Sequence, residues 1–140
     1  MLQMIDEDKD YELRQSDRAS YKILVLGEDA SCNQRVKDII IEEGIYEVEV
    51  KNTVVLEEVL EIIKEQHFGL VIFDIHIDNG WEILRTLMEK THLPVVLMTE
   101  DIDLRNKEEF IELGCDDYFM KSIKPIMLKE IIYNITKKFL

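Results

Sequence analysis

Residues 70–82 read LVIFDIHIDNGWE. Four apolar residues, Leu70 to Phe73, run up to an acid, Asp74, and Gly80 follows six positions later. A short apolar run bounded by turn residues reads as a strand buried on both faces, which is the habit of parallel sheets covered by helices. Directly after Gly80 the period changes, and WEILRTLMEK (81–90) is amphipathic at helical spacing. One strand and one helix are thus joined by a loop that starts at a carboxylate.

The same unit repeats on both sides. YKILVL (21–26) precedes a helical pattern, SCNQRVKDIIIEEG (31–44), with Val36, Ile39 and Ile40 on one face and Gly44 as its stop. YEVEVK (46–51) alternates apolar and polar, as an edge strand does. TVVLEEVLEIIKEQ (53–66) follows, with Thr53 the expected N-cap and Leu56, Val59, Leu60 and Ile63 sharing a face. LPVVLMT (93–99) reads as a strand entered at Pro94. DLRNKEEFIELG (103–114) is a polar helix with a thin stripe at Phe110, Ile111 and Leu113. DDYFMK (116–121) is a short strand, and PIMLKEIIYNITKKF (125–139) a last helix with Pro125 in its first turn.

Strands alternating with helices predict an α/β fold: a doubly wound, five-stranded parallel sheet with helices on both faces. The strand order 2-1-3-4-5, as in flavodoxin-like folds, fits best, because it puts the polar YEVEVK at an edge. The expected organisation is an acidic tail or linker over 1–20 and one domain over 21–140. Residues 1–20 hold six acids and three bases without sustained periodicity.

Composition narrows the function. The 140 residues are 46% hydrophobic and carry a formal charge of −13, with pI near 4.6. Such a charge argues against direct binding of nucleic acid or of an anionic membrane surface. The N-terminus lacks the apolar core of a signal peptide, and no apolar run approaches a membrane span. The two cysteines, Cys32 and Cys115, form no CxxC and read as reduced thiols of a cytoplasmic protein.

Ligands of such sheets bind beyond the carboxyl ends of the strands. The exits carry Gly27-Glu28-Asp29, Asp74, Thr99 and Lys121. A lone aspartate at a strand end is usually a turn or helix cap. Four exits converging on carboxylates, a hydroxyl and an amine make a stronger signal. An ionised Asp74 is a nucleophile toward phosphorus, and Lys121 and Thr99 would bind phosphoryl oxygens. Clustered carboxylates repel unless a cation joins them, and Mg2+ suits one or two of them together with phosphate. Glu28, Asp29 and Asp74 are its candidate ligands. His76 is the fourth candidate, at the rim, and reads either as a surface side chain or as a modulator of Asp74. With five glycines the chain builds no G-x-G-x-x-G or P-loop pattern, and position 76, where a DxD phosphatase would have its second acid, is histidine.

Over residues 21–140 the chain resembles the receiver domain of two-component response regulators. The residues that carry the resemblance are KILVLGEDAS, LVIFDI ending in Asp74, LPVVLMT ending in Thr99, and GCDDYFMKSIKP with Lys121. The resemblance implies a signalling domain rather than a turnover enzyme. Asp74 would accept a phosphoryl group from a histidine kinase or phosphotransfer protein, with Mg2+ required. Thr99 and Tyr118 would then re-orient and alter the surface of the fourth helix, fifth strand and fifth helix. Asp116-Asp117-Tyr118 with Lys124 and Lys129 resembles members that form homodimers through that surface. An ordinary solvated charge pattern is the alternative, favoured by the small energy of surface ion pairs.

The chain also departs from the family pattern. Gly27 and Glu28 stand where two consecutive acids are usual, with Asp29 next. The loop after Asp74 is about two residues short and holds Asp78-Asn79-Gly80 in place of a proline. Glu100 follows Thr99 where a small residue is usual, and Ser122 follows Lys121 where proline is usual. A cis bond before Ser122 would cost about 3 kcal/mol, so a trans bond is expected there. These departures imply weak Mg2+ binding, and they keep open a receiver that acts without phosphorylation as a protein-interaction module. An unrelated doubly wound domain, such as a flavodoxin-like binder, is disfavoured by the lack of a phosphate-cradling Gly/Ser/Thr loop.

Overall fold

The computed structural model describes residues 21–100 and 104–140. The expected tail over 1–20 lies outside the described residues. In chain order the elements are β1 (Tyr21–Leu26), α1 (Ala30–Ile41), β2 (Tyr46–Lys51), α2 (Leu56–Glu65), β3 (Phe68–Asp74), α3 (Gly80–Lys90), β4 (Val95–Thr99), α4 (Leu104–Leu113), β5 (Asp117–Met120) and α5 (Pro125–Thr136). A single 3-10 turn, Lys137–Phe139, follows α5.

The five strands are parallel in the order β2-β1-β3-β4-β5, as the alternation of strands and helices predicts. Burial explains the order. All five residues of β4 are buried, as are the last four of β1, whereas β2 buries only Tyr46 fully and takes an edge. The sheet separates two apolar layers. Val59 of α2, Leu84 and Leu87 of α3 and Phe110 of α4 meet Leu24, Leu26, Phe73 and Leu97 on one face. Val36 and Ile40 of α1 and Leu128 and Ile132 of α5 meet Ile23, Val25, Ile72 and Met98 on the other.

Local details differ from the sequence reading in three places. Thr53 is not a cap: α2 starts at Leu56 behind Val55, which makes no side-chain cap bond. The helix begins where its apolar stripe begins, and residues 53–55 stay outside it. Pro94 lies just before β4 rather than in it, and its carbonyl accepts from Val71 N at 3.0 Å. Ile111 is 67% exposed, so the inward stripe of α4 rests on Phe110, with Leu113 partly buried beside it. No cis peptide bond occurs among the described residues, so the bond before Ser122 is trans as expected.

Candidate functional site

Register brings the site together. Leu26 of β1 lies opposite Phe73 of β3, and Asp74 opposite Met98 of β4, so Gly27, Asp74 and Thr99 leave the sheet side by side. Thr99 in turn lies opposite Met120, which delivers Lys121 from β5. Lys121 N donates to the Thr99 carbonyl at 2.9 Å.

Asp74 is 3% exposed, and both of its carboxylate oxygens are held. Oδ2 lies 2.7 Å from Lys121 Nζ, and Oδ1 accepts from the backbone N of His76 at 3.0 Å. A nearly buried carboxylate needs such partners, because an unpaired charge away from water is strongly disfavoured. Burial works against the Lys121 ammonium, but the hydrogen bond and charge of Asp74 outweigh it and leave its pKa above the ordinary lysine value. Glu100 adds a looser contact to Lys121 at 3.7 Å from an exposed position.

Thr99 is fully buried, and its Oγ1 lies 2.8 Å from His76 Nε2. Tyr118 packs on Phe110, which stacks on Trp81 at the head of α3, with centroid separations of 5.9 and 5.4 Å. Lys107 of α4 lies over the Tyr118 ring at 5.7 Å.

The predicted ligands divide. Asp29 is the N-cap of α1, its Oδ1 accepting from Cys32 N at 3.1 Å. The His76 ring turns to Thr99. Glu28 is exposed at the β1 exit. Among the described residues, no group of three or more His, Cys, Asp or Glu is arranged to hold a metal. Mg2+ takes one or two carboxylates and keeps several waters, so residues of the kind of Asp74 and Glu28 suit its donor chemistry.

The Gly27 position leaves no room for a side chain. A Cβ at Gly27 would lie 2.8 Å from Asn33 Oδ1 and 3.1 Å from Asp74 Cβ. Asn33 is fully buried on α1 and donates from Nδ2 to the Gly27 carbonyl and to Asn52 Oδ1, each at 2.9 Å. Its own Oδ1 is buried with no hydrogen-bond partner. Two turns of spacing place Asn33 on the same inward stripe as Val36 and Ile40, and a lone amide on such a stripe is the signal that marks it. Arg35 is a second residue the sequence reading missed. It donates to the carbonyls of Lys121, at 3.1 Å, and of Ile123, tying α1 to the segment that carries Lys121.

Three of the charges expected at a dimer face have partners within the chain. Asp116 Oδ2 accepts from Val95 N at 2.9 Å, and Asp117 Oδ1 from Tyr118 N at 2.8 Å. Lys129 reaches Glu42, at the end of α1, at 2.7 Å.

A doubly wound parallel sheet that presents a buried aspartate, a lysine and a threonine at adjacent strand ends defines a receiver-type domain. The family model described as "Response regulator receiver domain" matches residues 23–133, and the chain belongs to that family. It is 27% identical over 119 residues to "Probable transcriptional regulator ycf27" of Porphyridium aerugineum, an alignment covering 84% of this chain and 48% of that protein. Among solved structures, a CheY-like receiver domain protein from Methanospirillum hungatei JF-1 superposes with a TM-score of 0.70 at 28% identity, covering 84% of this chain and 95% of that one. A two-component response regulator from Clostridium difficile reaches a TM-score of 0.75 at 22% identity, covering 86% and 98%, and speaks for the fold. The chain spans about half the length of the curated relatives it matches. Among the described residues, no helix is long and apolar enough to cross a membrane.

Proposed function

We propose that this receiver accepts a phosphoryl group on Asp74 from the phosphohistidine of a sensor kinase or phosphotransfer protein. The observation that carries the reading is the Asp74 carboxylate, held between Lys121 Nζ at 2.7 Å and His76 N at 3.0 Å at the carboxyl end of the central strand. A carboxylate oxygen attacks phosphorus, the phosphorus–nitrogen bond of the donor breaks, and the leaving imidazole takes up a proton. Lys121 is placed to follow the transferred oxygens, because its ammonium already sits on the acceptor. Asp74 and Glu28 would hold Mg2+, which supplies positive charge against the developing phosphoryl charge. Thr99 and Tyr118 are the groups that would read the new anion. Tyr118 would pass the change to α4 through Phe110 and Lys107.

A specific observation favours a second reading. With Gly27 backed by Asn33 and Glu100 beside Lys121, the cleft has lost an acid from its floor and gained one at its mouth. A receiver that signals as a phosphorylation-independent interaction module fits those changes. Intact mass after incubation with Mg2+ and a small phosphodonor separates the two. The acceptor reading expects a single phosphoryl adduct, absent from Asp74→Asn. No adduct from the small donor or from a cognate kinase leaves the interaction module.

A further inference from the structure

The short loop after β3 carries more than the acceptor chemistry needs. Ile75 and Ile77 are 6% and 7% exposed and join the apolar layer beneath α2, α3 and α4. Gly80 N donates to the Ile77 carbonyl at 3.0 Å, and a Cβ at Gly80 would fall on the carbonyl oxygen of Ile75. The loop is thereby drawn in tightly at both isoleucines, and the residue between them is turned the other way. That residue is His76, which is exposed. Its backbone N holds Asp74 Oδ1, and its ring Nε2 meets Thr99 Oγ1 at 2.8 Å. Thr99 itself is 0% exposed. An exposed ring bonded to a fully buried hydroxyl stands between that hydroxyl and the cleft.

We infer that His76 is a positioning residue that covers the Thr99 hydroxyl, and that its ring is displaced when Thr99 engages a phosphoryl group on Asp74. The inference rests on the acceptor reading above. A phosphoryl oxygen accepts hydrogen bonds and donates none, and a threonine hydroxyl carries one proton and has room for few neighbours in a dry pocket. With Nε2 unprotonated the ring accepts that one proton, so the ring and the phosphoryl oxygen compete for it. Only side-chain torsions of His76 need change, because its backbone N already lies on Asp74 and the flanking isoleucines are packed. The shortened loop then makes physical sense: it brings a side chain over the switch residue and adds a step to switching.

Beryllofluoride, a mimic of the phosphoryl group on a carboxylate, tests the inference with the full chain at fixed pH and saturating Mg2+. Trp81 is the only tryptophan and stacks on Phe110 beside Tyr118, so its fluorescence reads the switch. His76→Ala is expected to bind beryllofluoride about fivefold tighter, the equivalent of roughly one net hydrogen bond released. His76→Gln, which keeps an amide within reach of Thr99, is expected to lie between. In a Thr99→Ala background the His76→Ala gain disappears; a mere packing role for the ring would leave it unchanged. In the unsubstituted chain, the ring nitrogen resonances of His76 shift on addition of beryllofluoride. Equal or weaker binding by His76→Ala overturns the cover while leaving the acceptor reading intact. Absence of binding by both chains, seen by fluorescence and by fluorine resonance, overturns the acceptor reading and the cover with it.

Discussion

β1 and β3 run side by side through the middle of the sheet, and their exits touch, yet the two exits are built to opposite ends. β3 finishes in a buried carboxylate gripped by a lysine and a backbone amide. β1 finishes in Gly27, whose side-chain space is filled by the neutral amide of Asn33. In the first exit a charge is kept and balanced. In the second there is no charge, and the space beside the backbone is taken by a residue from the next helix. Within the cleft the buried Asp74 is paired directly with Lys121, while Glu28 and Glu100 stay exposed at its rim. Attraction for Mg2+ is expected to be weaker for that reason, and the resting state to be held by side chains.

The comparison breaks most severely at Gly80. Gly80→Ala places a methyl on the Ile75 carbonyl, in backbone that is fixed by Ile75 and Ile77. The expected loss is about 3 kcal/mol, read as a lower urea midpoint with little change in slope. Next comes the β1 exit. Gly27→Asp alone meets Asn33 Oδ1 at 2.8 Å and is expected to destabilise by roughly 2 kcal/mol. Pairing it with Asn33→Ala removes the closer of its two tight contacts, the other being Asp74 Cβ at 3.1 Å, and calorimetric titration with Mg2+ should then show roughly tenfold tighter binding than the unsubstituted chain, as expected from one added carboxylate. If Gly27→Asp alone is stable and binds Mg2+ tightly, Asn33 does not fill the place of the acid.

A smaller effect concerns pH. The folded pKa of Lys121 lies above its ordinary value, so the Asp74 pair adds stability that is fully present below the ordinary lysine range. That contribution fades as pH rises through the folded value. The stability of the unsubstituted chain minus that of Asp74→Asn should fall on going from neutral to strongly alkaline solution. A difference that stays flat or grows would mean that the pair does not set the lysine's protonation. The smallest effect is at Lys129, whose partners Glu42 and Glu43 are exposed. Lys129→Met is expected to leave the thermal midpoint unchanged within error, since exposed pairs contribute little.

The strands and their order were legible because burial imposes a period on the sequence. Leu70–Phe73 and Val95–Met98 are apolar throughout because both faces are covered, and YEVEVK alternates because it lies at the edge. Asp74, Thr99 and Lys121 were legible because parallel strands put all their exits on one side. Features that depend on contacts between distant segments were not. Asn33 fills a gap left six residues earlier, and only its place on an apolar stripe hints at this. Asp29 stands at a strand exit, as a ligand would, and directly before Ala30, as an N-cap would, and its Oδ1 takes the cap. Position alone does not tell a cap from a ligand. The direction of the His76 ring follows from the isoleucines on either side, once the loop is known to be packed and not free.

The most direct measurement is to locate the acyl phosphate. The protein is exposed to Mg2+ and a small phosphodonor, reduced with borohydride, digested and sequenced by mass. An aspartyl phosphate on Asp74 is reduced to homoserine, so the account predicts homoserine at position 74 and nowhere else. Unmodified aspartate at position 74, after the small donor and after a cognate kinase, would contradict it.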